Sequence, residues 1–137
     1  METLSDDQQR FKGLILLVED EEPIRKIAQR ILARLGFTVL EAADMQQALS
    51  HWHQHQDKID LLFTDIILPQ KRNGLELAEN CLKEKPSLKI IISSGYFNDS
   101  IIPKSLRDPL IAYLQKPYDI KIMIDAVSSC FKSPQQC

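Results

Sequence analysis

The stretch Asp60–Pro69 constrains the fold most strongly, because it is an apolar run that ends at one carboxylate, Asp65, and then a proline. Its residues, Asp-Leu-Leu-Phe-Thr-Asp-Ile-Ile-Leu-Pro, place apolar side chains on both faces of an extended chain. This pattern is typical of a strand buried within a parallel sheet. Loops at the carboxyl ends of such strands form the ligand crevice of an open sheet. The stretch therefore predicts that Asp65 lies at that crevice.

Short aliphatic runs recur along the chain and alternate with helical patterns. We predict five strands, at Leu14–Val18, Phe37–Leu40, Asp60–Thr64, Leu88–Ile92 and Ile111–Leu114. Five helices alternating with these strands imply right-handed crossovers and helices on both faces of the sheet. The predicted fold class is therefore α/β, with a doubly wound parallel sheet of five strands.

Turn and cap residues indicate where the helices begin and end. The first predicted helix begins near Pro23 and ends at Gly36. We interpret Asn73-Gly74 as a turn before the third helix, which ends before Pro86. The segment Asn98–Asp108 has the weakest helical signal, because two prolines limit any helix there to a short or irregular one.

The length of 137 residues predicts one domain at residues 13–132, with a flexible leader at residues 1–12 and a tail at residues 133–137. A formal net charge of -2 gives no reason to expect direct nucleic-acid binding. No apolar stretch is long enough for a membrane segment, and no signal peptide is evident, so we expect a cytoplasmic protein. Three cysteines without metal-ligand spacing (Cys81, Cys130 and Cys137) are interpreted as free thiols.

Polar residues follow several of the predicted strands. Glu19 and Asp20 follow the first strand, Asp65 the third and Lys116 the fifth, while Ser93 and Ser94 end the fourth. Clustered carboxylates stay ionised only if a cation offsets their charges, and Mg²⁺ suits oxygen ligands and accepts a phosphate oxygen. Acids, a metal, a lysine and a hydroxyl around one carboxylate suit attack by that carboxylate on a phosphoryl group.

Four motifs together resemble the receiver domain of two-component response regulators. They are Val18-Glu-Asp-Glu-Glu-Pro23, Phe63-Thr-Asp-Ile-Ile-Leu-Pro69, Ser93-Ser-Gly-Tyr96 and Leu114-Gln-Lys-Pro117, in the order that the family has. The resemblance covers roughly residues 13–132. It implies the flavodoxin-like receiver fold with strand order 2-1-3-4-5, which is the order of a doubly wound example from the same family.

The resemblance implies a phosphoacceptor and a metal site. Asp65 resembles the phosphoacceptor and is also expected to bind the metal. Asp20 resembles a direct Mg²⁺ ligand, and Glu19 resembles a second acid that acts through water. Ile67 would offer only its backbone carbonyl to the metal. Glu19 departs from the commonest pattern, in which an aspartate stands at this position.

The resemblance also implies a switch. Ser94 is similar to the hydroxyl that closes on the phosphoryl oxygen, although a slip of one residue would exchange it with Ser93. Lys116 resembles the lysine that pairs with the phosphoryl group. Tyr113 stands where the family often has an aromatic residue that turns inward on activation. Ser94-Gly95 replaces the commoner Thr-Ala, a variant often seen in receivers attached to sensor kinases.

Taken together, these features predict a phosphoprotein that is not an enzyme. Its expected partners are a histidine kinase or a histidine phosphotransfer protein, which donates the phosphoryl group, and a downstream protein effector. The resemblance leaves open a phosphorylation-dependent dimer, and either a stand-alone regulator or the receiver of a hybrid sensor histidine kinase. Because we find no DNA-binding output domain, we expect the signal to pass through protein contacts or phosphate relay.

Two other classes of function remain open. One is a pseudo-receiver, a protein-binding module that is never phosphorylated, although every acid of the predicted pocket is present. The other is an aspartyl-phosphate phosphatase, which would need a second acid where Ile67 stands. His51 and His55 share one predicted helix face, but without a third ligand we interpret them as surface residues.

Overall fold

The structure, a computed structural model, describes residues 11–95, 102–107 and 111–131. Five strands form one sheet: β1 (Leu14–Val18), β2 (Thr38–Ala42), β3 (Ile59–Asp65), β4 (Lys89–Ser94) and β5 (Ala112–Gln115). Every adjacent pair in the sheet is parallel, and the strand order is β2-β1-β3-β4-β5. The predicted doubly wound parallel sheet and its order 2-1-3-4-5 are confirmed.

Four α-helices lie in the described ranges: α1 (Glu22–Arg34), α2 (Met45–His55), α3 (Gly74–Glu84) and α4 (Ile120–Phe131). Pro23 lies in the first turn of α1, where its missing N–H costs nothing, and Gly36 follows α1 with a φ of 112° that few other residues adopt. Asp44 caps α2 by accepting a hydrogen bond from the N–H of Gln47. These residues explain where α1 begins and ends and where α2 begins.

Strands β2, β3, β4 and β5 all extend beyond their predicted carboxyl ends. Strand β2 begins one residue later than predicted, since Phe37 is buried in an aromatic cluster with Phe11 and Phe131 and precedes the ladder. Asp65 is the last residue of β3 rather than the first of a loop, and it pairs with Ser93 of β4. The site residues are therefore held by sheet hydrogen bonds and not only by loops.

A small ladder that the sequence did not indicate follows β3. Ile67 and Leu68 pair with Arg72 and Asn73 in antiparallel fashion. The predicted turn at Asn73-Gly74 is wrong, because Asn73 belongs to this ladder and caps α3 by accepting from the N–H of Leu75 at 2.7 Å. An asparagine suits both a turn and an N-cap, so the sequence pattern was ambiguous.

Two apolar cores cover the two faces of the sheet. Helices α2 and α3 bury one face, on which Leu16, Leu62 and Ile90 lie. Helices α1 and α4 bury the other face, which includes Ile15, Phe63 and Ile91. Alternate residues of each central strand enter opposite cores, which explains why these strands are apolar on both faces.

Some predicted segments lie partly or wholly outside the described residues. These are residues 1–10 of the leader, residues 133–137 of the tail, and residues 98–101 and 108 of the weak segment Asn98–Asp108. Within that segment, a 3-10 helix spans Lys104–Leu106. None of the helices in the described ranges has the length and apolar character that a bilayer-spanning segment needs.

Candidate functional site

Three carboxylates meet at the carboxyl edge of the sheet. One carboxylate oxygen each from Glu19, Asp20 and Asp65 lies within 4.8 Å of the other two. The register of β1 and β3 explains this, since Val18 pairs with Thr64 and the next residues of the two strands carry the acids. Glu19 and Asp65 are buried, and Asp20 is exposed. The site is therefore open to solvent on the side of Asp20.

Lys116 joins two of these acids. Its ammonium donates to Glu19 Oε1 at 2.7 Å and to Asp65 Oδ2 at 2.9 Å. Its backbone N–H donates to the carbonyl of Ser94 at 2.7 Å, which fixes the residue at the end of β5. The peptide between Lys116 and Pro117 is cis. The Lys116 ammonium is thus held between the two buried carboxylates.

The pKa values at the site reflect burial and pairing. Burial raises the pKa of Glu19 above the ordinary glutamate range, although hydrogen bonds from Lys116 and from the N–H of Glu21 oppose the shift. Burial alone would lower the pKa of Lys116, but hydrogen bonds and charges from Glu19 and Asp65 outweigh it and raise that pKa. Lys116 therefore stays protonated, and Glu19 gives up its proton less readily than an exposed glutamate.

The donor atoms at the site fit a hard divalent cation. All three acids offer oxygen, and three carboxylates with one ammonium leave a formal charge of -2 when all are ionised. Mg²⁺ binds few protein carboxylates directly and keeps several waters, so oxygens this close reach one ion directly or through water. Both Glu19 oxygens already accept hydrogen bonds, from Lys116 and from the Glu21 N–H, which leaves Asp20 the freer ligand.

The residues before and after Asp65 are fixed by hydrogen bonds. The Thr64 hydroxyl donates to the carbonyl of Asp65 at 3.0 Å, and the Ile66 N–H donates to the carbonyl of Ser93 at 3.0 Å. The Ile66 carbonyl accepts from the N–H of Gly74 at 2.6 Å. Ile67 belongs to the short ladder and is 74% exposed. The structure thus places Ile67 beside the site with its side chain in solvent.

Sequence reasoning missed Gly74. A Cβ atom added to it would lie 1.9 Å from the carbonyl oxygen of Asp65, so the first turn of α3 contacts the backbone of Asp65 directly. Only glycine allows so close an approach. The sequence did contain a signal, because a glycine begins the helix at a position where most side chains would be tolerated.

Ser93 and Ser94 are both buried at the end of β4. Ser93 pairs with Asp65 of β3, whereas Ser94 pairs with Gln115 of β5. Because side chains alternate along a strand, Ser93 lies on the α1–α4 face of the sheet, and Ser94 lies on the α2–α3 face with Ile92. Ser94 is therefore on the same face as Tyr113, which pairs with Ile92.

Tyr113 is partly buried and faces the core. Its ring packs against the apolar core under α2 and α3, and its hydroxyl donates to the carbonyl of Leu106. Burial raises the pKa of this tyrosine. The side chain thus links β5 to the 3-10 helix that precedes it.

The remaining candidates do not form a second site in the described ranges. The rings of His51 and His55 are 6.5 Å apart, and His51 Nε2 lies 3.0 Å from the carbonyl oxygen of Glu41. The described residues offer no third His, Cys, Asp or Glu beside them. Cys81 is buried and free, Cys130 is free and partly buried, and Cys137 lies outside the described residues.

Comparisons with known proteins decide the family. The family model of the response regulator receiver domain matches residues 15–128. This chain belongs to that family. The family consists of signalling modules of two-component systems, so the predicted family and its signalling role are confirmed.

Two curated relatives are much longer than the segment that they share with this chain. The chain is 32% identical over 113 residues to the sensor kinase CckA of Brucella abortus (strain 2308), a match that covers 82% of the chain and 12% of CckA. It is 32% identical over 120 residues to the DNA-binding transcriptional regulator NtrC of Azospirillum brasilense, covering 87% of the chain and 24% of NtrC. The chain therefore spans a small part of the length of these relatives.

Solved structures show the same fold. The receiver domain of the hybrid histidine kinase CckA is similar with a TM-score of 0.68 and 32% identity, and the match covers 88% of this chain and 100% of that one. The response regulator TrrA of Thermotoga maritima, solved in complex with Mg²⁺ and BeF, is similar with a TM-score of 0.69 and 26% identity. That match covers 87% of this receiver domain and 99% of TrrA.

Proposed function

We propose that this receiver domain accepts a phosphoryl group on Asp65 in the presence of Mg²⁺ and signals by a change of conformation. The observation that carries the proposal is the convergence of three carboxylates and one lysine at the carboxyl edge of the sheet. Asp65 lies at the end of the central strand, β3, and its carboxylate contacts Lys116. The solved Mg²⁺ and BeF complex of the similar response regulator TrrA supports the choice of ion.

The proposed chemistry is a nucleophilic displacement at phosphorus. A carboxylate oxygen of Asp65 forms a bond to the phosphorus atom, while the bond from phosphorus to the donor nitrogen or oxygen breaks and its electron pair leaves with the donor. A bound Mg²⁺ would offset charge on the phosphoryl oxygens. Such transfer depends on positioning and charge neutralisation more than on covalent chemistry from the protein.

Asp20, Glu19, Asp65 and the carbonyl of Ile67 would hold the ion. Asp20 is the exposed acid and would bind directly, whereas Glu19, with both oxygens already engaged, would act through water. Lys116 keeps its proton and would pair with a phosphoryl oxygen through a charge-assisted hydrogen bond.

The signal would then pass to β4 and β5. Ser94 and Tyr113 lie on the same face of the sheet, and the Lys116 N–H is bonded to the Ser94 carbonyl. We infer that closure of the Ser94 hydroxyl on the phosphoryl group moves the end of β4 and changes the contact of Tyr113 with Leu106. Such a change would shift the population between two conformations that an effector distinguishes.

A histidine kinase or a histidine phosphotransfer protein is the proposed donor, and another protein is the proposed effector. The proposed place of action is the cytoplasm. The family assignment supports these partners, because receiver domains interact with histidine kinases and effectors. A phosphorylation-dependent dimer remains a prediction that solution molecular mass before and after phosphorylation would test.

Incubation with acetyl phosphate, with and without Mg²⁺, followed by intact-mass measurement tests the proposal. We expect the wild type to gain the mass of one phosphoryl group only with Mg²⁺. Asp65→Asn is the matched variant, since it keeps the shape of the side chain and removes the nucleophile. A wild type that gains no mass would instead indicate the pseudo-receiver, a binding module that is not phosphorylated.

A further inference from the structure

The side chain of Arg25 contacts the backbone of the acidic site, and the proposed chemistry does not use it. Arg25 lies in the first turn of α1, and its side chain is 12% exposed. Its Nη1 donates to the carbonyl oxygen of Glu19 at 2.9 Å, and its Nε donates to Glu41 Oε1 at 3.0 Å. The guanidinium is therefore held at two points, one on β2 and one directly after β1.

Glu41 is itself fixed. Lys26 Nζ lies 3.1 Å from Glu41 Oε1 and donates to Oε2 at 3.2 Å. Burial alone would raise the pKa of Glu41, but hydrogen bonds from Arg25 and Lys26 outweigh it and lower that pKa. Glu41 thus stays ionised and serves as a fixed anchor for Arg25.

The carbonyl that Arg25 contacts belongs to the peptide between Glu19 and Asp20. The N–H of Glu19 donates to the carbonyl of Ala42 at 3.0 Å, so the backbone of Glu19 is held from both sides. Because a peptide unit is planar, the direction of this carbonyl also sets the direction of the Asp20 N–H. Rotation of this one unit would turn the Glu19 and Asp20 carboxylates relative to each other.

We propose that Arg25 is a positioning residue for the acidic site: it fixes the peptide between Glu19 and Asp20 so that both carboxylates face Asp65. The inference rests on the proposed function, because it assigns Arg25 a role in Mg²⁺ binding. Partners of metal ligands commonly affect metal affinity when they are removed. The planar, two-point donor geometry of arginine suits this role, and lysine offers only a single ammonium.

The charge of Arg25 alone would have the opposite effect on the metal. A positive charge near the site repels a cation, so its removal should tighten Mg²⁺ binding if charge were the only effect. Positioning predicts weaker binding instead. The direction of the change therefore separates the two explanations.

The test is a Mg²⁺ titration of wild type and variants, followed by the amide NMR shifts of the loop between β1 and α1. We expect Arg25→Met to raise the Kd for Mg²⁺ about tenfold. Arg25→Lys keeps the charge but loses the two-point contact, and it should raise the Kd severalfold. Lys26→Met is the matched control, because Lys26 contacts the same carboxylate but not the Glu19 carbonyl, and it should change the Kd less than either Arg25 variant does.

Each outcome bears on one of the two claims. Unchanged or tighter Mg²⁺ binding by both folded Arg25 variants would overturn the role of Arg25 while the proposed function stands. Failure of the wild type to bind Mg²⁺ or to gain a phosphoryl group would overturn the proposed function and the role of Arg25 with it. If Arg25→Met does not fold, Arg25→Lys decides, since charge alone predicts no change for it.

Discussion

Glu19 is a buried carboxylate next to other acids, and its ionisation costs free energy in the folded protein. Burial raises its pKa, and the nearby Asp65 charge adds to the shift, while Lys116 opposes it. The folded protein therefore binds the Glu19 proton more tightly than the unfolded chain does. The stability that comes from this proton is present below the ordinary glutamate pKa and is lost as the pH rises through the raised value.

We expect metal-free Glu19→Gln to gain stability relative to the wild type as the pH rises from below 4.5 to neutrality. Glutamine cannot ionise, so it avoids the cost that the wild type acquires over this window. Urea unfolding of both proteins in the presence of a chelator, at a series of pH values, measures the difference in unfolding free energy. A difference in unfolding free energy that stays constant with pH would contradict the raised pKa of Glu19.

Gly74 is the residue at which the backbone of Asp65 tolerates no side chain. A Cβ there would meet the Asp65 carbonyl oxygen at 1.9 Å, so Gly74→Ala must move either α3 or Asp65. We expect a loss of about 1–3 kcal/mol in unfolding free energy, which is typical of overpacked sites, and slower phosphorylation. Gly95→Ala is the matched control, because nothing lies within 4 Å of a Cβ added at Gly95. Equal effects of the two variants would contradict this account.

At the residue scale, the sequence was sufficient to find the side chains that carry charge but not the contacts that hold them. Asp65, Asp20 and Lys116 were predicted to meet because each follows a parallel strand, and the structure brings them together. The contacts of Gly74 and Arg25 depend on the distances at which separate elements pack against each other. No local pattern reports such distances.

At the scale of elements, the loop after β3 stores backbone strain. Gln70 and Lys71 have φ values of 64° and 58°, and neither is a glycine. A left-handed conformation costs such a residue roughly 1–2 kcal/mol, and the greater freedom of glycine in the unfolded chain takes back about 0.4–1 kcal/mol. Replacement of either residue by glycine should therefore have a net stabilising effect.

We expect Lys71→Gly to raise the unfolding free energy by about 0.5–1 kcal/mol. Arg72→Gly is the matched control, because Arg72 has an extended backbone with φ of -86° and ψ of 157°. The control should lose stability, because glycine raises the conformational entropy of the unfolded chain and relieves no strain at this position. Urea unfolding measures both, and a destabilised Lys71→Gly would show that the loop is not strained at this residue.

Strands β4 and β5 form the element that the proposed switch uses. We expect Lys116→Ala to accept a phosphoryl group from acetyl phosphate but to leave the amide NMR shifts around Tyr113 unchanged on phosphorylation. Lys116 contacts Asp65 through its ammonium and the Ser94 carbonyl through its N–H, directly after β5. It would therefore transmit the effect of the phosphoryl charge to β5. Shift changes at Tyr113 that persist in this variant would assign the switch to other residues.

Elements with a strong apolar pattern were predicted best. Strand β1 was predicted to the residue because Leu14–Val18 is a continuous aliphatic run. Strand β2 was displaced, since Glu41 interrupts its apolar pattern while serving as an ion-pair partner. The two-residue ladder at Ile67–Leu68 had no signal, because so short a pairing depends on the loop that joins it.

At the scale of the whole molecule, the aromatic cluster joins distant parts of the chain. The ring of Phe11 stacks on that of Phe37, with 5.2 Å between ring centroids, and the centroids of Phe37 and Phe131 of α4 are 4.6 Å apart. The described part of the predicted leader thus packs on the domain at the end of the sheet opposite the acidic site. The predicted domain limits at residues 13 and 132 remain predictions.

The most direct measurement of the central claim is the position of the phosphoryl group in the chain. Phosphorylation by acetyl phosphate and Mg²⁺, followed by borohydride, reduces an acyl phosphate to an alcohol and releases phosphate, so the modified aspartate becomes homoserine. Peptide mass mapping then locates it. The proposed function predicts homoserine at position 65 alone, and none in Asp65→Asn. Homoserine at another aspartate, or a phosphorylated protein with Asp65 unmodified, would contradict it.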